Sequence, residues 1–164
     1  EDMHHTISIL VVNQSGVLSR ISGLFSGRGF NIESLNVAET NDSGISRMTI
    51  ITRGDDKKIE QVTKQLNKLV DVIKVIDLTD EHFVDRELIL VKMNAEARVR
   101  EEILRIVDIF RAKVIDVNPD TYTVEITGDE GKTKGFLDLL KPLGIKEVVR
   151  SGRIAISRGI KPMN

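Results

Sequence analysis

The chain has 164 residues, 40% of them hydrophobic and 30% charged, with no cysteine and a formal net charge of −1 from 24 basic and 25 acidic side chains. That composition excludes disulfides, thiolate nucleophiles and Cys-based zinc sites, and it leaves no overall positive field to attract nucleic acid or anionic lipid. With no apolar run of the roughly 18 residues a membrane helix needs, and no hydrophobic region of a secretory signal, the chain reads as soluble and cytoplasmic, apolar enough for a packed core.

Glu1 to His5 is left outside the fold argument. Thr6 to Val12 reads as a strand, with Ile7, Ile9 and Val11 alternating against Ser8, Leu10 and Val12. A turn from Asn13 to Gly16 leads into a helix. Its Val17, Ile21, Leu24 and Phe25 share one face of a 3.6-residue period, with Ser15 as the expected N-cap and Gly29 as the residue just past the end. A second strand opens at Asn31 and runs to about Thr40. The turn Thr40-Asn41-Asp42-Ser43-Gly44 makes a hairpin with a third strand, Ile45 to Arg53. A helix beginning at Gly54-Asp55, with Ile59, Val62, Leu66 and Leu69 inward, and a strand from Val72 to Leu78 complete the order βαββαβ.

After a charged linker from Thr79 to Arg86 the same order begins again. It gives a strand from Glu87 to Met93 and a helix with Val99, Ile103, Ile106, Val107 and Phe110 on its apolar face. A hairpin follows, from Lys113 to Val117 and Thr121 to Thr127 about Asn118-Pro119-Asp120, then a helix with Phe136, Leu139, Leu140 and Leu143 inward and ended by Gly144. Strands from Ile145 to Arg150 and from Ile154 to Ser157 close the chain. The expectation is an α+β protein of two ferredoxin-like βαββαβ domains in tandem, residues 6–79 and 87–159 joined by a linker at 80–86, each with two helices on one face of a four-stranded antiparallel sheet and its other face open. Open faces and strand edges invite pairing, so a homodimer is expected in which two N-terminal halves join across a two-fold seam.

Catalytic sets are scarce. Of the three histidines, His4 and His5 lie in the excluded N-terminus and His82 in the linker, so a solvated-loop reading is preferred to a catalytic one. Gly131-Lys132-Thr133 lacks the glycine that a phosphate loop requires five residues before its Gly-Lys pair, where Ile126 stands, and is better explained as a helix start. Gly27-Arg28-Gly29 has neither the third glycine nor the preceding strand of a dinucleotide fingerprint. Only Tyr122 among the aromatics lies on an expected strand, which argues against an RNA-stacking platform. No metal site and no catalytic residue is expected.

What remains is the segment from Asn13 to Asn31. A turn leading into a helix presents unpaired backbone N–H groups and a positive dipole end that suit a carboxylate, and Gly16 permits close approach. Asn31 offers an acceptor and two donors, while Val17, Leu18 and Ile32 could surround an aliphatic side chain. The same residues also suit an ordinary turn, and on spacing alone the two readings stand about level.

The residues themselves carry further. Asn13-Gln14-Ser15-Gly16-Val17-Leu18-Ser19-Arg20, Arg28-Gly29-Phe30-Asn31-Ile32-Glu33-Ser34-Leu35, Ser46-Arg47-Met48-Thr49-Ile50 and, further on, Arg86-Glu87-Leu88-Ile89-Leu90-Val91-Lys92 and Ile109-Phe110-Arg111-Ala112 closely resemble the small regulatory subunits of acetolactate synthase, also called acetohydroxyacid synthase. The resemblance runs through Ser157-Arg158-Gly159 and covers the chain from about Thr6. It implies that the N-terminal half is an ACT domain. It also implies a non-catalytic subunit of branched-chain amino acid biosynthesis that activates a large catalytic subunit and confers feedback inhibition by valine. Thiamine diphosphate, Mg2+ and FAD would then belong to the partner and none to this chain. By the same resemblance valine lies at the seam between two ACT domains, on Asn13, Gly16, Val17, Leu18, Asn31 and Ile32. A free-standing amino-acid-binding ACT signalling protein, without an enzyme partner, is the alternative.

Overall fold

The computed structural model describes residues 3–159. Two compact units emerge, one comprising the chain through Val84 together with the segment from Arg153, the other Asp85–Gly152.

In the first unit, β1 (Met3–Val12), α1 (Val17–Gly27), β2 (Ile32–Glu39), β3 (Ile45–Gly54), α2 (Asp56–Asn67) and β4 (Val72–Asp77) follow the expected order. The antiparallel sheet has the strand order β2-β3-β1-β4. Alternation sends Ile7, Ile9 and Val11 of β1 and Met48 and Ile50 of β3 to one face, where Val17, Ile21 and Phe25 of α1 and Ile59, Val62 and Leu66 of α2 close the core. The end of α1 is a Schellman turn: Gly29, at φ +77, donates to the Ser26 carbonyl and Phe30 to the Phe25 carbonyl, each at 3.0 Å. At its start, Gly16 with φ +86 occupies the N-cap in place of the expected Ser15, and no side chain caps the helix. Asp55 caps α2 by accepting from the Lys58 amide at 2.8 Å.

Three further features of this unit depart from the expectation or add to it. The histidines set aside with the N-terminus belong to the fold, since β1 already begins at Met3; Glu1 and Asp2 lie outside the described residues. His5 is buried, its Nδ1 2.9 Å from Asp77 Oδ2 and its Nε2 3.3 Å from Asp56 Oδ1 without hydrogen-bond geometry. Second, β2, expected only as a strand from Asn31 to about Thr40, carries a bulge. Ile32 pairs Thr52 and Ser34 pairs Ile51, so Glu33 is an extra residue. The bulge changes the parity of the strand and lets both Ile32 and Leu35 pack against the core. Third, the face of the sheet away from the helices is not left open: Ser8, Leu10 and Thr49 on it are 0%, 6% and 3% exposed. The segment β9 (Ile154–Ser157) belongs to this unit, and residues at its start bond to the sheet as described below.

The second unit contains β5 (Phe83–Asn94) from Asp85 onward, α3 (Arg100–Ile109), β6 (Lys113–Val117), β7 (Thr121–Gly128), α4 (Glu130–Gly144) and β8 (Ile145–Arg150). Its strand order β6-β7-β5-β8 repeats that of the first sheet; a fifth strand, β9, where four were expected, pairs β5, whose first residues Phe83 and Val84 belong with β9 to the first unit. Phe83 to Arg86, expected as linker, are the first residues of β5; Asp85 and Arg86 hide the strand's alternation. Ile89, Val91 and Met93 of β5 meet Ile103, Ile106 and Val107 of α3 and Phe136 and Leu140 of α4 in the core. Leu139, expected on that face, is 51% exposed, and Thr133 takes the inward position one turn before Phe136. The Gly-Lys-Thr stretch is a helix start: Asp129 accepts from the Lys132 amide at 2.9 Å, and Thr133 Oγ1 donates to the Asp129 carbonyl at 3.0 Å.

Candidate effector site

The turn after β1 gathers four of the six expected site residues. Asn13 is held by its own amide, which donates to the Gly44 carbonyl at 2.9 Å, and by Nδ2, which donates to Glu39 Oε1 at 3.1 Å and to the Ser43 carbonyl at 2.9 Å. Both amide hydrogens of the side chain are thereby engaged, and the group it can offer a ligand is the acceptor Oδ1. Beside it, Glu39 brings a negative charge. This corner therefore suits an ammonium.

A few residues on, Gly16 turns the chain into α1. Its positive φ, and the 3.2 Å that would separate an added Cβ from Arg20 Nη1, both favour glycine. With no side chain at the cap and no acidic residue in the first turn, the leading N–H groups of α1 are left for solvent or a carboxylate. Arg20, one turn on, is ion-paired with Asp71. Val17 is 3% exposed and belongs to the core, so its contribution here is its backbone; Leu18, 44% exposed, supplies apolar surface. The corner thus offers an ammonium acceptor and carboxylate donors on one turn.

Asn31 and Ile32 are elsewhere. Val12 pairs Ile45 at one end of β3, whereas Ile32 pairs Thr52 at the other. The seven residue steps from Ile45 to Thr52 place the two ends about 23 Å apart at roughly 3.3 Å per step. Asn31 is exposed at its end, its carbonyl accepting from Thr52 Oγ1 at 2.8 Å. One copy of the fold does not bring Asn13 and Asn31 together.

Glu39 and Ser43 were missed as partners of Asn13. Their only local sign is their place at the base and tip of the β2–β3 hairpin, and the contact with Asn13 depends on β1 lying beside β3. Among the described residues no group of three or more histidines and carboxylates is placed to hold a metal ion, and no helix is long and apolar enough to cross a membrane.

A βαββαβ unit with an open helix start beside its first strand is consistent in architecture with an ACT domain, a module of regulatory proteins, and the sequence match shows that it is one. Residues 7–74 match the model of the AHAS small subunit-like ACT domain, and residues 86–159 match that of the small subunit of acetolactate synthase. The chain is 56% identical to the acetolactate synthase small subunit of Aquifex aeolicus over 155 residues, covering 94% of this chain and 81% of that one. To the acetolactate synthase small subunit of Haemophilus influenzae it is 48% identical over 160 residues, 97% and 98% of the two chains. The crystal structure of the acetolactate synthase small subunit from Thermotoga maritima superposes with a TM-score of 0.86 at 40% identity, covering 97% of this chain and 99% of that one. The chain therefore belongs to the small subunits of acetolactate synthase: it is a regulatory, non-catalytic subunit in branched-chain amino acid biosynthesis. Membership implies a catalytic large subunit as partner, and it is the partner that carries thiamine diphosphate.

Proposed function

We propose that this subunit activates the catalytic large subunit in the cytoplasm and makes it sensitive to feedback inhibition by valine, bound between the first domains of two copies. Residues 6–79 form the effector domain and 87–159 the C-terminal domain in this reading. Mg2+ and FAD, like thiamine diphosphate, are assigned to the partner.

The observation that carries the proposal is the separation of Asn13 from Asn31 along one sheet, taken with the position of β2 at the sheet's edge. An edge strand presents unpaired backbone groups, and Val37 on β2 is 41% exposed. Two β2 edges paired antiparallel about a two-fold axis between Leu35 and Asn36 set Ile32 of one copy opposite Glu39 of the other. Glu39 is hydrogen-bonded to Asn13, so Asn31 of the second copy arrives at the Asn13 corner of the first. The other edge strand, β4, lies at the opposite side of the sheet from β2 and brings no such meeting. Each dimer then has two equivalent pockets.

In each pocket the ligand's ammonium faces Asn13 Oδ1 and Glu39, its carboxylate the backbone N–H groups at Val17 and Leu18, and its side chain Leu18 and Ile32, with the Asn31 amide closing the polar side. Affinity in the millimolar to micromolar range needs roughly 4–8 kcal/mol, within reach of charge-assisted hydrogen bonds and a buried isopropyl group. One methylene more is discriminated by only about 1–3 kcal/mol, so leucine and isoleucine bind weakly at the same place. Valine regulates by favouring one arrangement of the dimer, and linkage requires the catalytic subunit to alter valine affinity in return.

The test is the activity of the large subunit, measured with and without this chain across a valine titration. Activation by the chain followed by inhibition on adding valine is the expected result. A chain that purifies alone and leaves the enzyme unchanged is instead a free-standing amino-acid-binding protein.

A further inference from the structure

The bulge in β2 lies immediately beyond Asn31 and Ile32, and it is bonded from a part of the chain remote in sequence. Ser34 Oγ, one residue past Glu33, accepts a hydrogen bond at 2.9 Å from the backbone N–H of Arg153. Two residues further along the same segment, the Ala155 carbonyl accepts from Arg47 Nη2, also at 2.9 Å. Ser34 is on β2 and Arg47 on the adjacent β3, so the two bonds fasten the segment across both strands. Arg153 and Ala155 are 9% and 6% exposed, while the intervening Ile154 and the following Ile156 are 52% and 58% exposed, the period-2 signature of a strand with one face against a surface.

The bulge needs such support. An extra residue leaves part of the ladder unpaired and bends the strand, and where the bend settles decides which way neighbouring side chains aim. Here the neighbours are Asn31 and Ile32. Glu33 lies 2.9 Å from His4 Nε2 and 3.5 Å from Arg53 Nε, in pairs partly open to solvent that hold it only weakly. On the far side of the bulge, the Arg153–Ser34 bond holds the strand. Arg47 is half-buried, and desolvation draws its guanidinium below the ordinary arginine range; an arginine stays charged, so its bond to Ala155 is charge-assisted.

We infer that the segment Arg153–Ala155 is a clamp on the effector site, with Ser34 and Arg47 as positioning residues that set the bulge and thereby aim Asn31 and Ile32 into the seam. The inference rests on the effector reading above for its ligand, but the clamp itself is measurable without one.

The experiment uses the full chain carrying Ser34→Ala, with Ser34→Thr as the conservative control and Arg47→Met as a second break in the clamp. Amide hydrogen exchange over residues 31–34 reads the bulge, and calorimetric titration with valine reads the site. Ser34→Ala and Arg47→Met are expected to quicken exchange at residues 31–34 and to weaken valine binding by roughly threefold to tenfold, the factor one hydrogen bond supplies, with dimer mass unchanged and the unfolding midpoint lowered by no more than about a few degrees. Ser34→Thr keeps wild-type values. Wild-type exchange at residues 31–34 in both broken variants overturns the clamp, as does a lowered unfolding midpoint with valine affinity intact. If the wild-type chain binds no valine, the effector reading fails by itself, and the exchange measurement still decides the clamp.

Discussion

Asn13 and Asn31 stand at opposite ends of the same antiparallel sheet, one beyond the Val12–Ile45 pair and the other beside the Ile32–Thr52 pair. A free amino acid is far shorter than that span of about 23 Å. For both asparagines to touch one ligand, two copies of the chain are required, and the residues then divide into a cradle from one copy and a cover from the other.

Replacing Asn31 by Ala removes the cover without touching the core, because the side chain is exposed and its backbone carbonyl keeps the bond from Thr52. Valine affinity is expected to fall by roughly tenfold to a hundredfold, the loss of one or two hydrogen bonds to a charged ligand, with little change in stability. Calorimetric titration checks the first and thermal unfolding the second. Unchanged affinity moves the site away from β2.

At Gly16 an aspartate places a carboxylate where the ligand's carboxylate is drawn. The substitution also sets a Cβ at φ +86 and 3.2 Å from Arg20 Nη1, which costs about 1 kcal/mol of fold stability. Like-charge repulsion and lost donors are expected to weaken valine by about 3 kcal/mol, or roughly a hundredfold, while activation of the large subunit persists. An enzyme assay against valine concentration reads both. Inhibition that survives in Gly16→Asp places the carboxylate elsewhere.

Gly54 is small for a different reason: an added Cβ would lie 2.1 Å from Phe30 Cε1. That ring is buried and meets Phe25 edge-on at 6.2 Å, so it has little room to yield. Gly54→Ala is therefore expected to destabilise the first unit by about 1–3 kcal/mol, the usual cost of overpacking. Because Phe30 precedes Asn31, valine binding should weaken as well. Denaturant unfolding and calorimetry test the pair of effects, and an alanine tolerated at no cost would contradict the packing described here.

In the second unit, Glu87 is 4% exposed and receives both Nη2 of Arg150 at 2.6 Å and Nε at 3.0 Å. Removing the arginine leaves a buried carboxylate without that fork. Arg150 is itself half-exposed, and water that enters its place limits the damage, so Arg150→Ala is expected to cost about 1–3 kcal/mol. Urea unfolding followed by hydrogen exchange at Ile89 and Val91 locates the loss, which should spare the first unit's core.

Much of this fold is legible because its signals are local. The helix faces at Val17, Ile21 and Phe25 and at Ile59, Val62 and Leu66 follow a 3.6-residue period, and the hairpin turn at Thr40 to Gly44 is written in turn residues. Local charge conceals the rest, as where Asp85 and Arg86 mask the start of β5. Glu33 as a bulge is visible only through the parity conflict between Ile32 and Leu35, which requires knowing that both face the core. The Ser34–Arg153 bond joins residues 119 apart, and no period or turn signal reaches that far. The six candidate site residues are an expectation from turn chemistry and family resemblance; their division between two ends of a sheet follows from strand register, which pattern alone does not supply.

The central claim, that each pocket is shared between two copies, is tested most directly by mixing Asn13→Ala and Asn31→Ala chains into one dimer. In a mixed dimer one pocket carries both substitutions and the other carries neither, so the account predicts one site per dimer at wild-type valine affinity, although each variant alone binds weakly. A mixed dimer that binds no better than its two parents would contradict it.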